Sequence, residues 1–219
     1  MRGRINMAER TDGQLLGRII GCRGHTRYFF SPADDENSLS SQQIQQSSLR
    51  PPLSSPGTFV IVSNCDNMGS GMDHSGRMLL GMIISTSLLS MEGFRAGSGT
   101  GPMTGSDIGL FTPEVMNEAT KVTEVHGIGT IDADGQPVFG TPECSPSYLD
   151  DVRAMSDQEI ARLHSRAGKL HLEYFPLLSE GADVQTRFAL QNALNRLITI
   201  VPEQKIILSL LRTETARMD

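Results

Sequence analysis

The chain has no tryptophan, only three tyrosines and only three cysteines in 219 residues. The cysteines, Cys22, Cys65 and Cys144, cannot all pair within one chain. Their wide spacing also differs from the dense disulfide framework of a small secreted domain. We therefore expect an intracellular reducing compartment or a virion, and not a secreted protein.

A long uncharged apolar run is also missing. The longest, Met78 to Met91, spans 14 residues and includes several hydroxyl side chains, so it is too short and too polar to cross a bilayer. The basic start of the chain is followed by Glu9 and Asp12 instead of an apolar stretch, which is not the pattern of a signal peptide. We expect no membrane span.

Lysine is absent from the first 30 residues, which carry six arginines against two acidic residues. Residues 31–150 carry four basic and fourteen acidic residues. Arginine suits bidentate contacts to phosphate or carboxylate groups. We expect contacts to RNA or DNA phosphates, or to the acidic body of a neighbouring copy. The predicted contact residues are Arg2, Arg4, Arg10, Arg18, Arg23 and Arg27.

The stretch from Ser31 to Thr58 has little to bury, since 16 of its 28 residues are Ser, Gln or Pro. Glycines in residues 13–24 favour short strands before it. We predict that residues 1–58 form an extended arm and polar linker, and that residues 59–219 form a single α+β domain with its helical part at 151–219. Contacts with adjacent chains would offset the entropy cost of ordering such an arm.

Strand and helix signals follow the polar stretch. The apolar run Phe59 to Ser63 predicts a buried strand, and residues 127–140, with Asp134-Gly135 at the turn, predict a β-hairpin. Residues 77–91 predict a buried helix, because Leu80, Ile84 and Leu88 recur at helical spacing.

Three helices are predicted near the carboxyl end. Ser156 and Glu159 form a capping box for the first, Asp183 caps the second, and Pro202 begins the third. The residues of the third helix expected to be buried are Ile206, Ile207, Leu210 and Leu211. The predicted fold class is α+β, with an extended amino-terminal arm, a small sheet with a β-hairpin and a buried helix, and a carboxyl-terminal helical unit of about three helices.

Motifs for chemistry are incomplete. Residues 132–143 begin like a calcium loop, but Pro137 replaces the required glycine, so we interpret them as a hairpin turn. Residues 73–76 place Asp, His and Ser side by side, whereas a catalytic triad draws its groups from separate segments. The possible zinc ligands are Cys22, His25, Cys65 and His74. Their spacing matches no structural zinc family. We interpret His164 and His171 as surface histidines, and we expect no catalytic residue, cofactor or metal.

These observations favour a structural subunit of a large assembly, and not an enzyme. Such a subunit, of the viral coat or matrix type or from an organellar complex, would contact copies of itself or other chains through its arm. One alternative is a small enzyme that binds a phosphorylated or nucleotide ligand at the glycine-rich loops 69–76 and 97–105. The other alternative is a nucleic-acid-binding module, although the acidic bulk and the few aromatic residues near the arginines give it less support.

Overall fold

The computed structural model describes residues 13–33, 54–63, 77–90, 119–132, 134–166 and 168–217. The strands are β1 (Leu15–Arg23), β2 (Arg27–Pro32), β3 (Phe59–Val62), β4 (Met78–Ser90), β5 (Ala119–Ile131), β6 (Pro137–Phe139), β7 (Asp151–Ala154), β8 (Ser165–Arg166) and β9 (Lys169–Leu170). The helices are α1 (Asp157–His164), α2 (Phe175–Ser179), α3 (Val184–Ile200) and α4 (Lys205–Arg217), with a 3-10 turn at Pro202–Gln204.

Six antiparallel strands form a closed barrel in the order β2-β1-β7-β3-β4-β5, and β5 pairs back onto β2. The long strand β5 pairs with two different strands along one of its edges. Its residues 123–126 pair with β2, and its residues 129–131 pair with the extra strand β6. At the start of the second stretch Gly129 adopts a φ of +155°, and a Cβ there would lie 2.3 Å from the carbonyl oxygen of Val138 on β6. Glycine therefore permits the change of partner.

The barrel interior is one hydrophobic core to which all six strands contribute. Its members are Leu16, Ile19, Tyr28, Phe30, Val60, Val62, Leu79, Ile83, Val125, Cys144, Val152 and Ala154. Side chains that alternate with these point out of the barrel, since successive residues of a strand face opposite sides. The outward residues of each strand are therefore either covered by other elements or open to solvent.

Helices cover one side of the barrel, which we call the covered wall. There the outward side chains of β3 and β4, among them Phe59, Ile61, Leu80 and Met82, form a second core with α1, α2 and α3. Ser156 forms the predicted capping box of α1 with Glu159, and the Asp183 side chain accepts from the Thr186 backbone N–H at the start of α3.

Helix α4 forms a third layer outside α3. The two helices are joined by a single 3-10 turn and pack against each other as an αα-hairpin. Leu208 and Thr215 are the buried residues of α4, and Arg212 donates to the side-chain oxygen of Asn195 on α3 over 2.9 Å. Contacts of α4 are therefore concentrated on the side that faces α3.

The predicted fold class is wrong. The chain forms a closed six-stranded antiparallel barrel with an extra strand and about four helices, and not a small sheet with a buried helix. The expected buried helix at 77–91 is strand β4. Residues 15–32, expected within an extended arm, are two strands of the barrel, so the short strands predicted there are confirmed. The strand at β3 and the hairpin turn before β6 are confirmed as well.

None of the helices in the described ranges combines the length and the apolar character that a membrane crossing would require.

Candidate functional site

The side of the barrel opposite the helices, which we call the bare wall, is formed by β1, β2 and the first half of β5. Tyr28 and Phe30 of β2 point into the barrel core, so Phe29 between them points outward. Register pairs Phe29 with Gly21 on one side and with Glu124 on the other. Since Gly21 has no side chain, a depression forms beside the half-buried ring of Phe29.

This depression is a groove with a volume of about 480 Å³, within the size range of ligand sites. Its apolar part comes from Ile20, Phe29 and Val122, and polar groups stand at its rim. The residues that line it are Ile20, Gly21, Cys22, Arg23, Phe29, Ser87, Val122 and Glu124. The groove can therefore accept a mainly apolar group with a cation and an anion close by.

Three of the six predicted contact arginines lie on this wall. Arg18 forms a 3.3 Å ion pair with Asp151, and Arg27 forms a 3.4 Å ion pair with Glu124. Arg23 lines the groove. A phosphate that approached Arg18 or Arg27 would have to displace a carboxylate, which lowers the attraction of this wall for a polyanion. The other three predicted contacts, Arg2, Arg4 and Arg10, lie outside the described residues.

Charged groups also meet where β5 reaches the start of α3. Burial, and then the positive charge of Arg27, lower the pKa of His126, while Asp183 raises it. The backbone N–H of Thr186 holds the pKa of Asp183 below its usual range, and Arg27 adds to this effect. His126 is therefore neutral at pH 7 and Asp183 is ionised. The groups form no hydrogen-bonded chain from an acid through a base to a nucleophile.

His164 is buried, and the prediction of a surface histidine is wrong for it. Its Nδ1 lies 2.9 Å from the carbonyl oxygen of Ile160 and its Nε2 lies 3.0 Å from the hydroxyl of Tyr174. This geometry fits a neutral ring that donates to the carbonyl and accepts from the hydroxyl. Phe59 and Phe139 pack against it, and burial lowers its pKa to about 4. Because both nitrogens are engaged and the ring is enclosed, this histidine stabilises the core of the covered wall.

The other motifs give no assembled site. The Asp132 carboxylate accepts from the backbone N–H of Asp134 and of Gln136, so the calcium-like stretch is a hairpin turn as interpreted. Within the described ranges, no group of three or more His, Cys, Asp or Glu could hold a metal ion. Loops 69–76 and 97–105, together with Cys65 and His74, lie outside the described residues. Cys22 and His25 are at the β1–β2 end of the barrel, both exposed.

Several apolar side chains of the helical layer are exposed, although they were predicted to be buried. Ile206 is 87% exposed, Leu210 is 62% exposed and Ile207 is 50% exposed, so the prediction that they are buried is wrong. Leu211 is half-buried and packs on the core as expected. A second exposed apolar group lies at α2 and the start of α3, and comprises Leu177, Val184 and Phe188. The sequence itself indicates this exposure. Apolar residues at 206–208 and 210–211 lie around more of the helix circumference than one partner helix can cover.

A family model described as a domain of unknown function (DUF8166) matches residues 9–216. No curated protein gives a significant match to the chain.

Proposed function

The chain belongs to the DUF8166 family, a domain of unknown function, and we propose that it is a structural subunit that assembles with copies of itself or with other chains. The proposal is based on the surface of the molecule. The barrel has a filled hydrophobic interior, and the helical layer is the contact surface of the subunit. The proposed assembly is of the viral coat or matrix type, or is an organellar complex.

The observation that carries this proposal is the exposed outer face of α4. Large aliphatic side chains scattered singly over a surface need no explanation, but Ile206, Ile207 and Leu210 lie within two turns of one helix. A helix with an apolar face on both sides fits a helix packed between two layers. The first layer is α3, and a neighbouring chain supplies the second.

The described residues give less support to an enzyme. On the bare wall Arg18 is paired with Asp151 and Arg27 with Glu124, and His164 is enclosed by the core of the covered wall. The groove beside Phe29 favours a second candidate function, which is binding of a small ligand or of a nucleic-acid base stacked on the ring, with Arg23 as the cation.

Light scattering coupled to size exclusion tests the proposal on the full chain, at low and high salt and with and without nuclease. We expect a mass above that of the 23.8 kDa monomer that rises with protein concentration and is unchanged by nuclease. A mass that falls after nuclease treatment would instead assign the assembly to nucleic-acid binding. A monomer at every concentration would contradict the proposal.

A further inference from the structure

We propose that the groove on the bare wall binds a small amphipathic carboxylate, with the apolar body of the ligand against Phe29 and its carboxylate on Arg23. The ligand is a single small molecule that carries one negative charge. This inference rests on the second candidate function and specifies its ligand class. It is independent of assembly through the helical layer, so either can fail without the other.

The floor of the groove is apolar. Phe29 is half-buried and Ile20 is 37% exposed, so both present carbon surface to the groove, and Val122 lines it from β5. Register places Gly21 beside Phe29, and a Cβ at Gly21 would meet no atom of the described structure within 4 Å apart from its chain neighbours. The space above Gly21 can therefore hold an aromatic or aliphatic group that packs on the ring.

The groove also carries a positive charge that lacks a counter-ion. Arg23 on β1 and Arg27 on β2 are directly opposite each other, on the same outer face as Phe29. Like charges in this position repel and destabilise the pairing of the two strands. Glu124 compensates Arg27 across 3.4 Å, but within the described ranges no carboxylate pairs with Arg23. A bound anion at Arg23 would relieve this repulsion.

Glu124 does not oppose an anion at Arg23. Strand β2 lies between their two strands, which are therefore about 10 Å apart, and the charge of Glu124 is already compensated by Arg27. A cationic ligand would instead have to break the pair between Arg27 and Glu124. The charges therefore favour an anion over a cation.

A carboxylate matches this single arginine. The planar guanidinium group binds a carboxylate through two parallel hydrogen bonds, which fixes the orientation of the ligand. A phosphate ester carries up to two negative charges, whereas Arg23 is the only arginine among the described residues that line the groove. We therefore expect one carboxylate attached to an apolar body.

Equilibrium dialysis with the full chain tests the proposal, with naphthoate as an aromatic probe and decanoate as an aliphatic probe. We expect at least one of them to bind with a dissociation constant of about 0.1 mM, which is usual for a ligand of this size. Naphthamide lacks the charge and acetate lacks the apolar body, so each should bind at least about tenfold more weakly. Absence of binding by both carboxylates, or equal binding of naphthamide, would overturn the proposal.

Two variants address the two halves of the site. Arg23→Gln should raise the dissociation constant of the carboxylate about tenfold and leave that of naphthamide unchanged. Gly21→Leu fills the space beside Phe29 and should raise the constant of the carboxylate at least about tenfold. The matched control is Arg162→Gln on α1, an exposed arginine of the helical layer, which should change neither constant. Circular dichroism with thermal unfolding verifies that the variants fold, and a folded Arg23→Gln with unchanged affinity would contradict the role of this arginine.

Cys22 gives a second readout that needs no substitution. It lines the groove and is exposed, whereas Cys144 is buried. A saturating carboxylate probe should slow the alkylation of Cys22 by iodoacetamide at least about threefold, as followed by mass spectrometry of the peptide that contains it. Unchanged alkylation at saturation would place the ligand elsewhere and overturn the assignment to the groove.

Three outcomes separate this inference from the proposed functions. A chain that assembles but binds neither carboxylate keeps its structural role and loses this ligand. A monomer that binds a carboxylate in the groove contradicts the assembly alone. Binding of a short oligouridylate instead of the carboxylates, weakened by Arg23→Gln, would assign the second candidate function to nucleic acid and overturn the carboxylate.

Discussion

The two walls of the barrel are built from strands of the same sheet, and yet their sequences differ. On the covered wall β3 reads Phe-Val-Ile-Val and is buried on both sides, because α1, α2 and α3 pack on its outward residues. On the bare wall Tyr28 and Phe30 of β2 point inside, whereas Arg27 and Phe29 point outside and are only half-buried. The walls therefore differ at the outward positions, which are packed under helices on one wall and partly exposed to solvent on the other.

Replacement of an aromatic residue by alanine should give the largest difference in stability loss between the two walls. Phe59→Ala on the covered wall removes a fully buried ring from beside His164 and Tyr174, and we expect a loss of about 3–5 kcal/mol in the free energy of unfolding. Phe29→Ala on the bare wall removes a half-buried ring and should cost about 1 kcal/mol. Urea denaturation of both variants measures the difference. Equal losses would mean that the bare wall is covered in solution.

Acid should destabilise the covered wall through His164. Its pKa is about 4 in the folded chain and about 6.5 when unfolded, so the unfolded chain binds more protons between these values. Stability from this group is complete above pH 6.5 and is lost as the pH falls toward 4, by about 3 kcal/mol in total. Denaturant midpoints from pH 8 to pH 4 measure the loss. In His164→Gln the slope over this range should become shallower, and an unchanged slope would contradict the assignment.

Two glycines offer the smallest and most closely matched comparison. Gly57 has a φ of +89°, and a Cβ there would lie 2.6 Å from the carbonyl oxygen of Ala189 on α3. Gly57→Ala should therefore cost about 2–3 kcal/mol by forcing the turn away from the helix. A Cβ at Gly21 would have no atom of the described structure within 4 Å, so Gly21→Ala should be close to neutral. Thermal unfolding compares the two, and a neutral Gly57→Ala would show that α3 can shift on the wall.

Local signals in the sequence identified several elements correctly. The cap of α1 at Ser156, the cap of α3 at Asp183 and the turn at Gly135 depend on residues close together in the chain, and all three are present. Strand β4 was mistaken for a helix because both of its faces are buried. Leu79 and Ile83 enter the barrel while Leu80 and Ile84 meet the helices, and a continuous apolar run has no period of two.

Long-range pairing explains the other errors. Closure of the barrel joins residues 27–30 to residues 123–126, and no local pattern at β2 indicates that partner. His164 is buried by Phe59 and Phe139, which come from other parts of the chain. The exposed stripe of α4 could have been recognised from its excess of apolar residues, but which face α3 covers depends on packing. The groove was missed because Gly21 and Phe29 become neighbours only through strand register.

The position of β7 in the sheet has a consequence for synthesis on the ribosome. This strand lies between β1 and β3, although more than a hundred residues separate it from β1 along the chain. During synthesis the barrel cannot close until residue 154 has left the exit tunnel. Until then β1 and β3 each have one unpaired edge. Because this strand is the last of the barrel to be synthesised, barrel formation is delayed, and in the meantime the open edges of β1 and β3 are available for pairing with the wrong strand.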